Sequence, residues 1–170
     1  MKVLSTKVLV TGSKGQLGHD LTSMLKADGL DVKSYDLPEL DITNSAKVEE
    51  VVSGYRPDII INCAAYTQVD KAESDEKRAY AVNRDGAANL AGAAESINAI
   101  LFHISTDFVF DGRKAAPYTE TDEPNPLSVY GASKLAGEEA IRSRHDKHII
   151  IRTSWLYSTR GQNFVKTMLK

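Results

Sequence analysis

The sequence predicts an α/β fold, a doubly wound and mostly parallel sheet of about five strands with helices on both faces. Three observations point there. Short apolar, β-branched runs alternate with longer amphipathic ones along the chain. A glycine-rich turn follows the first strand and opens the first helix. The residues whose chemistry stands out fall just after strands or at the start of the following helix, where such sheets bind ligands.

Lys7–Thr11 (KVLVT) reads as the first strand, and Gly12, Gly15 and Gly18 follow at once. Leu17–Lys26 has helical periodicity with Leu17, Leu21 and Leu25 on one face, and Gly29 ends it. Val32–Tyr35 is a second strand, with a polar turn through Pro38 and Asp41 after it. Asn44 or Ser45 caps a helix reaching about Gly54. Asp58–Asn62 (DIIIN) is a continuous apolar run, the pattern of a strand buried on both faces. An alanine-rich stretch from Ser74 to about Asn98 reads as one long helix, and Ile100–Ser105 as a fourth strand. Asp111–Asn125 carries Gly112, Pro117 and Pro124 and reads as a loop. Pro126 bars helix before it, so the next helix starts near Ser128 and runs to about Ser143. His148–Arg152 is a fifth strand, and Asn163–Lys170 begins another helix.

A length of 170 residues with 42% apolar content fits one domain with a substantial core. The net charge of -2 gives no reason to expect nucleic acid or an anionic membrane as partner. Cys63 is the single cysteine and has no internal disulfide partner, which suits a reducing, cytoplasmic setting. Met1–Ser13 is interrupted by Lys2 and Lys7 and is not expected to act as a signal peptide. No run approaches a membrane span, and the four histidines lack metal-ligand spacing, so no metal is expected.

Tyr130 and Lys134, in YGASK, are four apart and share one face of a helix. An ammonium beside a phenol is expected to pull the tyrosine pKa down toward neutrality, where it can trade a proton with a substrate oxygen. Thr106, ending an apolar run, offers a hydroxyl to orient that oxygen. Gly12-Ser13-Lys14-Gly15-Gln16-Leu17-Gly18 has G-x-x-G-x-x-G spacing rather than the usual dinucleotide fingerprint. Its position between strand and helix suits a pyrophosphate against the helix N-terminus in a Rossmann-like domain; tight packing alone is the other reading. Asp36, ending the second strand, suits the ribose hydroxyls of NAD and opposes NADP, or it caps the turn before Pro38. Lys14 nearby offsets that repulsion, leaving NADPH or NADH open. Ala64, Ala65, Tyr66 and Thr67 after the third strand leave room for a flat ring, or simply pack tightly. Cys63 and His103 read as core residues. Trp155, the only tryptophan, is either core or a platform for substrate.

The stretches TGSKGQLG, LDITN, PDIIINCAAYTQVDKAE, ISTDFVFDG, PLSVYGASKLAGEEA and IRTSWLYSTRGQNFVKTML resemble the extended short-chain dehydrogenase/reductase family. VDKAE, STDFVFDG and RTSW are closest to its subgroup that reduces dTDP-4-dehydrorhamnose. The resemblance implies NAD(P)H-dependent reduction of the C4 keto group of a dTDP-sugar to give dTDP-L-rhamnose, a surface-polysaccharide precursor. It implies a catalytic triad of Thr106, Tyr130 and Lys134, with Tyr130 protonating the C4 oxygen and Lys134 holding the nicotinamide ribose. Gly15, Gln16 and Leu17 fall on the pyrophosphate loop, with Gly12 and Gly18 beside them. Asp36, Asp41 and Ile42 fall around the adenosine, and Ala65, Tyr66 and Thr67 on a further cofactor-contacting segment. Thr106, Asp107, Tyr130 and Trp155 fall on positions that meet the sugar nucleotide. Family members continue well beyond this length, so residues 1–170 are expected to be the NAD(P)-binding domain with most of the substrate domain absent. The fifth strand is then expected to be an open edge through which copies self-associate as a homo-oligomer. Two other implied readings are a nucleotide-sugar epimerase or dehydratase, and a non-catalytic subunit like the regulatory subunit of methionine adenosyltransferase. Dehydratases add an acidic pair beside the triad threonine; here Asp107 is followed by Phe108, which favours a reductase.

Overall fold

The computed structural model describes residues 5–161 and 163–169. β1 (Lys7–Thr11), β2 (Asp31–Tyr35), β3 (Ile59–Asn62), β4 (Ile100–Thr106) and β5 (His148–Thr153) form one sheet in the order β2-β1-β3-β4-β5. Every neighbouring pair is parallel. The chain winds outward in opposite directions from β1 and β3, so a crevice opens between their carboxyl ends.

The connecting helices lie close to where the sequence puts them. α1 (Gln16–Ala27) and α2 (Ser45–Tyr55) follow β1 and β2, and the Asn44 side chain caps α2 by accepting from Lys47 N–H. The alanine-rich stretch differs from the single helix expected. A separate turn, α3 (Val69–Ala72), precedes α4 (Glu76–Tyr80), which widens into a π segment (Ala81–Gly86) before α5 (Ala87–Ile97). The bulge turns Asn83 inward, where its amide accepts from Tyr66 N–H and donates to Tyr66 O and to the Ser133 hydroxyl. Three tertiary hydrogen bonds therefore accompany one irregular turn, a common association of π-bulges with functional regions. α6 (Val129–Arg142) is capped by the Ser128 hydroxyl, which accepts from Gly131 N–H. α7 (Phe164–Met168) is capped by Asn163 in the same way; Lys170, expected in this helix, lies outside the described residues.

Side chains in register across the sheet sort into rows. Leu9, Ile60 and Leu101 form one fully buried row, packed with Leu90, Ala91 and Ala94 of α5, Val48 and Val52 of α2, and Ile141 of α6. The next row on the same face is Thr11, Asn62, His103 and Ile150. Its polar members are buried directly beneath the carboxyl-end crevice.

Candidate active site

A cavity of about 940 Å³ runs along the carboxyl ends of the strands. Its lining includes Gly12, Gly15, Gln16, Leu17, Gly18, Asp36, Asp41, Ile42, Ala64, Ala65, Tyr66, Thr67, Thr106, Asp107, Tyr130, Lys134 and Trp155. The candidate residues read from the sequence thus meet around one space.

At one end the glycine turn is held by close approach. Gly12 has φ +69°, and a Cβ there would meet Ala64 N at 2.5 Å. Gly15 opens α1 with no side-chain cap, leaving the first helical amides as donors toward the cavity. Asp36 reaches back to this turn: its carboxylate accepts from Lys14 N–H at 2.8 Å and Leu37 N–H at 2.7 Å. The turn-capping role read from the sequence is therefore realised, while the carboxylate still lines the cavity. The Lys14 ammonium faces Leu37 O and Glu39 rather than Asp36. Burial favours the protonated form of Asp41, but hydrogen bonds from Thr43 and the nearby Arg78 outweigh it and hold the carboxyl below its usual range. Ile42 beside it packs against the π segment, where a Cβ at Gly86 would meet its Cδ1 at 2.6 Å.

The middle of the cavity is formed by the segment after β3. Ala64 N–H donates to Asn62, and the Asn83 amide brackets the Tyr66 backbone from the other side. Cys63 also lines this space, and burial pushes its thiol up to about 12. A thiol so disfavoured as thiolate is no nucleophile at neutral pH.

Thr106, Tyr130 and Lys134 converge at the other end. Gly131 lets α6 reach the turn after β4; a Cβ there would lie 2.2 Å from Phe108 O. Thr106 donates to Asp107 at 3.1 Å and accepts from Phe108 N–H at 3.2 Å. The Tyr130 ring stands edge-on to Phe108, with centroids 5.6 Å apart. Lys134 is only 2% exposed; its Nζ donates to Ile104 O at 2.6 Å and lies 3.3 Å from His103 Nε2.

These positions correct one expectation. The sequence spacing suggests that the Lys134 ammonium draws the Tyr130 pKa down. Burial instead pushes the phenol up, the Thr106 hydroxyl partly opposes it, and the Asp107 charge adds to the rise. Lys134 has turned to the β4 backbone, and burial lowers its own pKa to about 8 against the pull of Glu138 and Cys63. Helical spacing puts the two residues on one face but leaves the direction of the ammonium to what packs over it.

Trp155 sits at the cavity rim with φ +51°, 69% exposed, edge-on to Phe164 at 5.1 Å. It is not a core residue. Among the described residues, no cluster of His, Cys, Asp or Glu could hold a metal ion. No described helix is long and apolar enough to cross a membrane.

Residues 6–170 match the family model described as RmlD substrate binding domain. The chain belongs to this family. Among curated relatives of this family member, the dTDP-4-dehydrorhamnose reductase of Aggregatibacter actinomycetemcomitans is 47% identical over 96% of the chain and 56% of its own length. That of Sinorhizobium fredii is 46% identical over 96% of the chain and 55% of its own length. A crystal structure of the Bacillus anthracis dTDP-4-dehydrorhamnose reductase in complex with NADP superposes with a TM-score of 0.95 and 47% identity. The match covers 97% of this family member and 59% of that chain. The chain therefore spans about half the length of the curated relatives it matches.

The sequence did not single out Asn62, Asn83, Ser133 or Glu138, on which the site stands. Glu138 is fully buried and accepts from Ser105, Arg142 and Arg152. Burial favours its protonated form, but these donors outweigh it and hold the carboxyl down. The one available signal is a polar residue at an inward position of an apolar run, as Asn62 is at the end of β3.

Proposed function

We propose that this chain is the cofactor-binding and catalytic half of a reductase that converts the C4 ketone of dTDP-4-dehydro-L-rhamnose to the alcohol of dTDP-L-rhamnose. The observation that carries this reading is one continuous cavity with a glycine turn and open helix amides at one end and Thr106, Tyr130 and Lys134 at the other. The cradle fits a dinucleotide, because Gly12 and Gly18 let the turn pack directly against backbone, where any Cβ would collide, and so bring the uncapped start of α1 to the cavity. A bound reduced nicotinamide would supply hydride.

In this reading the amides of Gln16 and Leu17 hold the pyrophosphate, with Gly15 at the mouth of the turn that Gly12 and Gly18 hold tight. Asp36, Asp41 and Ile42 flank the adenosine, while Ala64, Ala65, Tyr66 and Thr67 line the path to the nicotinamide. Tyr130 gives its proton to the C4 oxygen as the carbon is reduced, and Thr106 orients that oxygen. Lys134 holds the nicotinamide ribose. Asp107 and the exposed indole of Trp155 face the sugar nucleotide. The NADP in the Bacillus anthracis relative supports NADPH, with NADH as the second donor. The name of a Bacillus subtilis relative, spore coat polysaccharide biosynthesis protein SpsK, supports a place in surface-polysaccharide precursor synthesis. We further propose a cytoplasmic location and self-association through β5.

The test begins with binding. NADPH and NADH are titrated against wild type and Gly15→Asp, following nicotinamide fluorescence. We expect saturable binding in wild type and at least a tenfold loss in the variant, roughly the effect of a carboxylate placed against a pyrophosphate. Failure of wild type to bind either cofactor would overturn the reading. Turnover of the 4-keto sugar nucleotide then separates a reductase from a non-catalytic dinucleotide-binding subunit. Tyr130→Phe is expected to lower kcat by about 10²–10⁴, the usual worth of a positioned general acid.

A further inference from the structure

Four polar side chains form an unbroken line beneath the candidate site, and the direction of each hydrogen bond in it can be assigned. Asn62 Oδ1 accepts from Ala64 N–H at 3.1 Å and from the Thr11 hydroxyl at 2.8 Å. A backbone N–H only donates, so the amide oxygen must face Ala64 and the amide nitrogen must face His103. Asn62 Nδ2 lies 3.0 Å from His103 Nδ1. An amide nitrogen donates and does not accept, so Nδ1 is the acceptor and carries no proton. Burial, with Lys134 adding to it, lowers the His103 pKa well below 6.5. The ring is neutral, and its one proton is on Nε2.

That proton points at Lys134 Nζ, 3.3 Å away. An ammonium there would set donor against donor. A neutral amine accepts the Nε2 proton on its lone pair and still donates to Ile104 O at 2.6 Å. We propose that His103 is a positioning residue whose tautomer, fixed by Asn62, favours the neutral amine of Lys134 and makes the charge at the centre of the site conditional.

The other groups around Lys134 bear on the same balance. Cys63 approaches from the end of β3, and Tyr130 and Glu138 lie on its own helix. Asp107, in the turn after β4, acts on Tyr130. Burial opposes the ammonium while Glu138 and Cys63 favour it, which leaves a pKa of about 8. Glu138 is itself engaged by Arg142 and Arg152, so its pull on Lys134 is shared. The inference deepens the reductase reading and rests on it for the use of Lys134. With a midpoint near 8 the ammonium predominates at pH 7 and the amine above the midpoint, and His103 sets where that exchange falls. Above pH 8, where the amine predominates, the phenolate left when Tyr130 yields its proton to the substrate oxygen favours the ammonium, and Lys134 takes up a proton by way of the cavity it lines.

The test reads protonation directly and requires neither cofactor nor turnover. Nitrogen NMR of the histidine-labelled full chain, with His103→Gln assigning the signal, is expected to show a protonated Nε2 and a bare Nδ1 throughout the neutral range. A protonated Nδ1 would overturn the proposal. Carbon NMR of labelled lysine, assigned with Lys134→Met, then follows Lys134 in wild type, His103→Gln and His103→Phe. We expect titration near pH 8 in wild type. In the folded His103 variants the midpoint should rise by about one pH unit or more, because the neutral amine has lost its donor. A Lys134 titration unmoved in both folded variants would also sink the proposal. A chain with the expected tautomer that fails to bind NADPH would overturn the reductase reading and leave the tautomer assignment standing.

Discussion

Under α5 and α6, the row Leu9, Ile60 and Leu101 is wholly buried, each side chain at 0% exposure. On the opposite face, the row that begins at Val10, also 0% exposed, runs outward through Ile61 and Phe102 to Ile149 at 46%. α1 packs on β1 and β2 and shelters only the near end of that second face. The sealed face carries Asn62, His103, Lys134, Ser105 and Glu138, all buried and all hydrogen-bonded. Water is excluded there, so hydrogen bonds and charges perturb one another strongly. The open face offers mostly apolar side chains, with Thr106 at the carboxyl end of β4 a buried, hydrogen-bonded exception. The linked buried polar groups thus lie mostly where packing is complete.

The largest effect expected from this contrast is on stability. Leu101→Ala, on the sealed face, should cost about 2–5 kcal/mol, because the cavity cannot collapse among close-packed neighbours. Ile149→Ala should cost about 1 kcal/mol or less, since much of its side chain stays in water when folded. Urea denaturation of both variants measures the difference. Equal losses would mean that both faces are covered in solution.

Next comes the cost of keeping Lys134 on the dry face. Its folded pKa of about 8 lies below the ordinary 10.5. Between these values the unfolded chain holds the extra proton, so the Lys134 contribution to stability rises with pH across that window. Below it, the folded state carries the full penalty of a buried ammonium. Lys134→Met should therefore stabilise the fold at neutral pH by roughly 2–3 kcal/mol, each tenfold loss of proton affinity being worth about 1.36 kcal/mol. The advantage should fade as pH passes the ordinary lysine value. A variant less stable than wild type at every pH would show that the bond to Ile104 outweighs desolvation. The same substitution should abolish the proposed ribose contact, so weaker NADPH binding alongside higher stability would set function against stability at one residue.

The sequence made the strands and most helix ends legible because their causes are local. DIIIN is β-branched and continuous, and Ser128 can cap only a helix that begins beside it. The π segment was not legible, because its cause is the pull of Tyr66 and Ser133 on Asn83 across 17 and 50 positions of sequence. The candidate site divides along the same line. Its members could be named from spacing and resemblance, since they follow strands or lie in the first turns of the helix after them. Their states could not. The turn of Lys134 toward Ile104 and the rise of Tyr130 depend on burial and on partners from β4, which four-residue spacing does not encode.

The smallest effect on stability, and the sharpest on the contrast between faces, is expected from charge on the open side. β5 pairs with β4 and, among the described residues, with no strand beyond it. Ile149 and Ile151 stand on the open face at 46% and 43% exposure. An unpaired edge beside exposed isoleucines is a template for a second copy of the chain. Ile149→Lys combined with Ile151→Lys keeps strand geometry available while making that contact repulsive between like charges. Both side chains are already half in water, so the folding free energy should change by only about 0.5–1 kcal/mol. Light scattering over a concentration series should show wild type growing in mass and the double variant remaining a monomer. A wild type that stays monomeric at high concentration would mean that the open face tolerates water unaided. The two faces would then differ in packing but not in what they bind.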